Sequence, residues 1–346
     1  MTLTWTLTIC TYNRPNFLVE TLRHALSQTR LPSEIVVVDA SDSWKEHRDR
    51  VLSEFSSDWE RVSLVYAPAK VRSLTFQRNQ ALELATSDIV FSLDDDIYLY
   101  PDAAETIMDV YEADTKWEIA MVTGLFTPGP YCPNAAPTPA HAFADLKVSR
   151  LRAWIADQLS LDSHFVPYSD PVDMGPVPAS VQHLNVHPSG LVNGGRTTFR
   201  RKFAQKAGWT EVLRYYSTHE DSDFSYRMSL MGRLIVAPDA GFFHADGNER
   251  KISRFRVNTI RVRNLLALHV VHSPSRLRSA GRCIASFAKF ALLYMLIDLS
   301  RWRFSLPTAR AYLYGMVHVP IFLFWPFSNF KKWYTDIQER MFRGVY

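Results

Sequence analysis

Three consecutive carboxylates, Asp94, Asp95 and Asp96, follow the apolar run DIVFSL (88–93). Adjacent like charges repel, so either water or a bound cation must relieve them. An all-oxygen site of this kind favours Mg2+ or Mn2+, often with substrate phosphates completing the shell. From the run alone both readings stand: a metal-binding strand end, or a solvated turn of aspartates. A second acidic cluster, HEDSD (219–223), precedes an amphipathic helical run. Acidic residues at a helix start bond free N–H groups and favour the positive end of the dipole, a role that suits Ser222 and Asp223.

The elements that would position these groups alternate. The β-rich WTLTIC (5–10) leads into a polar loop, TYNRP, and then into a helical pattern with Phe17, Leu18, Leu22, Ala25 and Leu26 on one side. EIVVVDA (34–40) is a continuous apolar run ending in acid, as in a strand covered on both faces. Further strands are expected at 61–67, 88–93, 118–126 and within 233–247, with helices over 75–85, 101–114 and after 217. Strands alternating with helices predict an α/β fold with a mostly parallel sheet. Residues 127–190, rich in Pro, Ser, His and Asp, read as an irregular functional insertion holding one helical piece near 144–159. The segment 191–209, LVNGGRTTFRRKFAQKAGW, resumes regular structure.

In open parallel sheets, ligands bind outside the carboxyl ends of the strands. There the first strand delivers Thr11, Tyr12 and Asn13, the second Asp39 and the fourth the carboxylate run, with Arg78 just before it. A nucleotide fits such a crevice: carboxylates for ribose and metal, an arginine for phosphate.

Taken together, LTICTYNRPNFLVETLRHALSQTRLPSEIVVVDASDS, FQRNQALELATSDIVFSLDDDIYLYPD and STHEDSDFSYRMSLMG resemble a family 2 glycosyltransferase of GT-A fold, over roughly residues 5–245. The resemblance implies a nucleotide-diphosphate sugar donor, contacted by Thr11, Tyr12, Asn13, Asp39, Arg78 and its neighbour Asn79, Asp94 and Asp95. It implies a DXD motif in which Asp94 and Asp96 hold a divalent cation, Mn2+ or Mg2+, with His244 completing the shell. Asp221 would be the general base of an inverting displacement, and Glu220 would hold the acceptor or orient the loop. Gly194 and Gly195 fall on the acceptor-side segment, and Trp209 is either a sugar platform or a core ring. His219 reads as a local hydrogen-bonding residue. Ala40 stands where many members carry a second aspartate, a departure for which Asp42 is the available compensation.

Composition bounds the rest. The chain has 346 residues, 47% hydrophobic and 21% charged, with net charge +4. That is globular rather than disordered, and long enough for a catalytic domain (1–248) and a C-terminal region (249–346). Cys10, Cys132 and Cys283 form neither a disulfide framework nor a zinc spacing, and the N-terminus lacks signal-peptide features, so a reducing, cytoplasmic setting is expected. From Arg250 to Ile297 there is no Asp or Glu, and two apolar runs follow, 284–299 and 311–327. Short, interrupted by Lys289, Pro320 and Pro326, and flanked by arginines, they suit a helical extension lying on the inner face of an anionic membrane better than a span or plain core. A glycan or lipid-linked acceptor is therefore favoured. No nucleic-acid motif appears. The competing classes are a nucleotidyltransferase of related fold, against which Glu220 and Asp221 argue, and a non-catalytic sugar- or membrane-binding protein.

Overall fold

Nine strands form one mixed sheet in a computed structural model that describes residues 2–129, 165–169, 174–192, 194–215, 217–245, 253–324 and 327–343. In chain order they are β1 (Trp5–Thr11), β2 (Glu34–Asp39), β3 (Ser63–Pro68), β4 (Ile89–Asp94), β5 (Ile97–Leu99), β6 (Ile119–Phe126), β7 (His187–Pro188), β8 (Arg196–Arg200) and β9 (Arg233–His244). The helices are α1 (Pro15–Leu26), α2 (Trp44–Glu54), α3 (Leu74–Leu84), α4 (Ala103–Ala113), α5 (Arg201–Ala207), α6 (Glu220–Ser229), α7 (Arg254–His272), α8 (Arg276–Ser300), α9 (Pro307–Phe324) and α10 (Phe327–Phe342). The helical piece expected near 144–159 lies outside the described residues.

The chain divides into two units. The first comprises Met1–Leu146, Val172–Thr210 and Asp221–Gly247; the second comprises Lys147–Pro171, Glu211–Glu220 and Asn248–Tyr346. The C-terminal stretch from Asn248 falls in the second unit, together with two earlier segments of the chain.

In the first unit the sheet order is β3-β2-β1-β4-β8-β6-β9-β5, with β7 beside β9. β1 is parallel to β2 and β4, and β2 to β3, whereas β8 runs antiparallel to both β4 and β6. The fully buried β2 and the first five residues of β4 explain their unbroken apolar sequences. Helix α1 starts with Pro15 in its first turn and buries Leu18, Val19, Leu22 and Ala25; Phe17 is half-buried and carries the Arg14 guanidinium 4.4 Å from its ring centre. The reversed strand β8 is anchored by Arg200, which is buried and pairs with Asp114 at 3.0 Å while donating to the carbonyls of Tyr111, Asp114 and Ile119. Such a buried pair is tolerated only because its hydrogen bonds are this complete. β6 meets β9 through two register shifts, and at one of them a Cβ on Gly124 would stand 2.0 Å from the Ala240 carbonyl oxygen. Only glycine fits there.

The second unit is helical. Its segment 211–220 is stapled to α7 and α10: Asn264 Nδ2 donates to the Thr218 carbonyl (3.0 Å), Gln338 Nε2 to the Val212 carbonyl (2.9 Å), and the Arg214 N–H to Gln338 Oε1 (2.6 Å). Helices α8 and α9 form an antiparallel hairpin, with Phe287, Phe290 and Tyr294 of α8 against Tyr312 of α9. Asp298, fully buried, closes it by accepting from the Thr308 N–H at 2.8 Å and the Ala309 N–H at 3.3 Å.

Candidate active site

Parallel register brings three strand ends together: Thr11 stands opposite Asp39, and Cys10 opposite Asp94. The Cys10 thiol is pushed up to about 12, chiefly by burial, which rules it out as a nucleophile at neutral pH. Beyond the strands, Asn13 turns the loop with φ +54° and its N–H donates to Ser41 Oγ at 2.7 Å. Asp39 is buried and fully engaged: it accepts from the Ser41 N–H (2.8 Å) and from Tyr66 Oη (2.7 Å), and faces His47 Nδ1 at 2.9 Å. Burial, then the Asp39 charge, pushes the Tyr66 phenol well above its usual range, so Tyr66 stays a donor. Tyr12 and Asp42 both neighbour the Arg72 guanidinium at the surface.

The three aspartates do not act alike. Asp95 is buried; it accepts from Thr11 Oγ1 (2.7 Å) and Arg14 Nη1 (2.5 Å), while its carbonyl accepts from Thr21 Oγ1 (2.7 Å). Burial pushes its carboxyl up to about 7 against the Thr11 and Arg14 contacts, with Asp96 and Asp94 adding to the rise. Asp96 accepts from Arg14 Nη2 at 2.7 Å and lies 3.5 Å from His244 Nε2. Asp94 pairs instead with Arg78 Nη2 at 3.0 Å. Of the three residues expected to hold a cation, Asp96 and His244 could offer an oxygen and a nitrogen here, whereas Asp94 is engaged by Arg78. Among the described residues no three His, Cys, Asp or Glu side chains converge on one point. The half-exposed His244 ring, stacked on Phe126 at 5.7 Å, and the adjacent carboxylate would suit Mn2+ or Mg2+.

The second acidic cluster meets the first through two glycines. The Gly194 N–H donates to Asp221 Oδ2 at 2.7 Å, and the Gly195 carbonyl accepts from the Asp94 N–H at 3.1 Å. Gly195 has φ +84°, a backbone conformation that favours glycine, and a Cβ there would crowd Asp94 Oδ2 at 2.9 Å. The other Asp221 oxygen accepts from the Ser222 N–H at 2.7 Å. Asp223 is fully buried and paired with Arg227, whose guanidinium also reaches the Ala207 and Gly208 carbonyls, a structural role. Glu220 is buried at the head of α6, and His219 precedes it with φ +74°.

Trp209 is a core ring rather than a sugar platform. It is 3% exposed, stacked on Phe224 at 4.0 Å, with Arg78 at 4.5 Å from its ring centre. Its backbone is tied to Asn79, which accepts from the Trp209 N–H at 2.7 Å and donates to the Trp209 carbonyl at 2.9 Å. The arginine-asparagine pair thus shapes the wall that holds Arg78 under Asp94. Sequence reasoning passed over Arg14, although it sits in the loop after β1 beside Asn13, and Tyr66, whose place near the end of the third strand is the signal that would have found it. It also passed over Arg196 of β8, which donates to the Gly124 carbonyl (2.7 Å) and lies 4.0 Å from the Phe126 ring centre, its guanidinium lowered to about 10 by burial.

Residues 6–123 match the glycosyl transferase family 2 model. The match covers about a third of the chain. A relative, the glucosyl-dolichyl phosphate glucuronosyltransferase of Haloferax volcanii, is 36% identical over 106 residues, 30% of this chain and 33% of the relative; the chain thus matches about a third of that protein's length. Two solved structures share the fold. The mannosyltransferase PcManGT of Pyrobaculum calidifontis, in complex with GDP-Man and Mn2+, aligns over 92% of this chain and 87% of its own with a TM-score of 0.53 and 16% identity. GalNAc-T7 with UDP, GalNAc and Mn2+ aligns over 77% of this chain and 47% of its own with a TM-score of 0.50 and 15% identity. The matched stretch therefore sits in a GT-A fold, as its motifs implied, and β7, β8 and β9, beyond the matched residues, complete the sheet.

Proposed function

We propose that the chain is an inverting glycosyltransferase that moves a sugar from a nucleotide-diphosphate donor to an acceptor hydroxyl, with Asp221 as the base. The observation that carries the reading is the Gly194–Gly195 bridge, which ties Asp221 to Asp94 across two adjacent residues. A displacement needs its base and its leaving-group machinery on opposite sides of one bond, a few ångströms apart. The acceptor oxygen attacks the anomeric carbon and gives its proton to Asp221; the bond from that carbon to the diphosphate oxygen breaks, and its electron pair leaves with the diphosphate. Thr11–Asn13 and Arg78 would line the nucleotide side, and Asp39, engaged by Ser41, Tyr66 and His47, would position the loop there. Asp96 and His244 would hold the divalent cation, which when bound stabilises charge on the leaving diphosphate as a Lewis acid.

A lipid-linked acceptor at the cytoplasmic face of a membrane is favoured over a soluble glycan. Two observations support it: the similarity to an enzyme named for a dolichyl phosphate substrate, and the apolar helix Arg276–Ser300. The purified full chain is incubated with a panel of nucleotide sugars, Mn2+ and a lipid-extract acceptor pool, and released nucleotide diphosphate is measured. Acceptor-dependent release with one donor class is expected. Release of pyrophosphate instead would turn the reading to nucleotidyl transfer, and no release with any donor to a binding protein.

A further inference from the structure

The outer faces of α8 and α9 differ in kind from the rest of the second unit. On α8 every exposed position between Gly281 and Leu299 is apolar: Gly281, Ile284, Ala285, Ala288, Leu292, Leu296 and Leu299. On α9 the exposed positions after Arg310 are Leu313, Val317, Pro320 and Ile321. Helix α10 supplies the contrast, for before its last residue, the exposed Phe342, it exposes Asn329, Lys331, Lys332, Asp336 and Arg340. The outer face of α10 is therefore polar along its length up to that end, and those of α8 and α9 are not. Their two stripes lie side by side because the helices form one antiparallel hairpin, and the stripe on α8 from Leu277 to Leu299 runs about 33 Å at 1.5 Å per residue. The hairpin turn continues the pattern with Trp302 81% and Phe304 69% exposed, each preceded by an arginine.

We propose that this α8–α9 face, with the turn 301–306, is a monotopic membrane-insertion surface that lies in the plane of an anionic leaflet. Charge names the occupant. Residues 251–346 carry sixteen Lys and Arg against three Asp and Glu, and Asp298 is buried, so the stretch that bears the apolar face is strongly basic. Arg278, Arg301 and Arg310 are exposed at the ends of the stripes, where headgroup phosphates meet acyl chains. Tryptophan beside arginine at the turn is interfacial chemistry. A span is disfavoured although α8 is long and apolar enough for one, with only 28% of its most apolar window buried. The inner face of α8 packs on its own unit through Cys283, Phe287 and Phe290, and α9 packs in turn on α7, which carries Arg263, Asn264 and His269. A spanning hairpin would draw those polar groups into hydrocarbon. In-plane insertion buries the apolar face alone. The inference does not depend on the transferase reading.

The test is co-sedimentation of the full chain with phosphatidylcholine vesicles, with and without phosphatidylglycerol. Binding is expected to increase with the anionic lipid and to be released only in part by high salt. The triple variant Leu292→Asp, Leu296→Asp, Val317→Asp changes exposed positions, so its melting temperature stays near wild type while partitioning falls at least ~10-fold. Lys331→Ser with Lys332→Ser, on the water-facing α10, leaves the salt-resistant part of the binding in place. In a Leu292→Trp variant, the added fluorescence is quenched more by bromine near the glycerol end of the acyl chain than near the chain terminus. Wild-type binding by a folded triple variant overturns the proposal, as does indifference of the wild-type chain to vesicles. Deeper quenching at residue 292 overturns it in favour of a span. A lipid-free dimer that the triple variant abolishes and vesicles do not compete away overturns it in favour of a second copy.

Discussion

Asp94 and Asp221, 127 positions apart in sequence, engage successive residues of one turn: the Asp221 carboxylate accepts the Gly194 N–H, and the Asp94 N–H is accepted by the Gly195 carbonyl. The main chain of this turn thereby anchors the carboxylate proposed as the base and the backbone of the strand end that carries the first acidic cluster.

The base is tested by Asp221→Asn. The amide keeps the acceptor for the Gly194 N–H but takes no proton at neutral pH. Turnover should fall by ~10²–10⁴, while donor affinity, measured by calorimetry, stays within a few-fold of wild type. Turnover at the wild-type rate would move the base elsewhere, with Glu220 the next candidate.

Cation dependence follows from Asp96 and His244. Chelation should abolish transfer, and Mn2+ or Mg2+ should restore it. Asp96→Ala should weaken nucleotide-diphosphate binding in the presence of Mn2+ and leave binding without metal little changed, because Arg14 retains Asp95. Unchanged Mn2+-dependent affinity in that variant would remove Asp96 from the cation's shell.

Much of this site was legible because strand ends announce themselves: Asp39 and Asp94 each close an apolar run, and a parallel register must align them. Other parts were not. Helix α2 buries only Val51, so its charged sequence carries little apolar periodicity. β5 has three residues, too few for alternation to show. The antiparallel insertion of β8 between β4 and β6 is a non-local pairing, fixed by Arg200 reaching Asp114 across 86 positions. The aromatic Trp209 illustrates a different limit: its type suits both a sugar platform and a core, and only the stacked Phe224 and the Arg78 contact decide.

Gly124→Ala tests the irregular β6–β9 junction. The added methyl would meet the Ala240 carbonyl at 2.0 Å and the Phe242 ring at 2.6 Å, and backbone on that side cannot give way cheaply. A loss of about 1–3 kcal/mol or more is expected from overpacking, read as a lower denaturation midpoint. A variant as stable as wild type would mean that the junction is looser than its register shifts imply.

The second unit should be acid-sensitive through His269. Its ring is buried and bonded through Nε2 to the Val166 carbonyl at 2.9 Å, while Nδ1 is buried without a hydrogen-bond partner among the described residues. Burial lowers its pKa to about 4, with Arg282 and His272 adding to the drop and the Val166 bond opposing it. The folded ring therefore stays neutral where an unfolded histidine, near 6.5, takes a proton. Between those values the unfolded state binds more protons, so stability is full above about 6.5 and is lost as pH falls toward 4. The shift corresponds to roughly 3 kcal/mol at its low-pH limit. His269→Gln keeps a donor for Val166 and cannot titrate. Melting temperature measured from pH 7.5 to 4.5 should fall less steeply in the variant than in wild type. Equal slopes would mean that the ring already reaches solvent, or takes its proton, in the folded state.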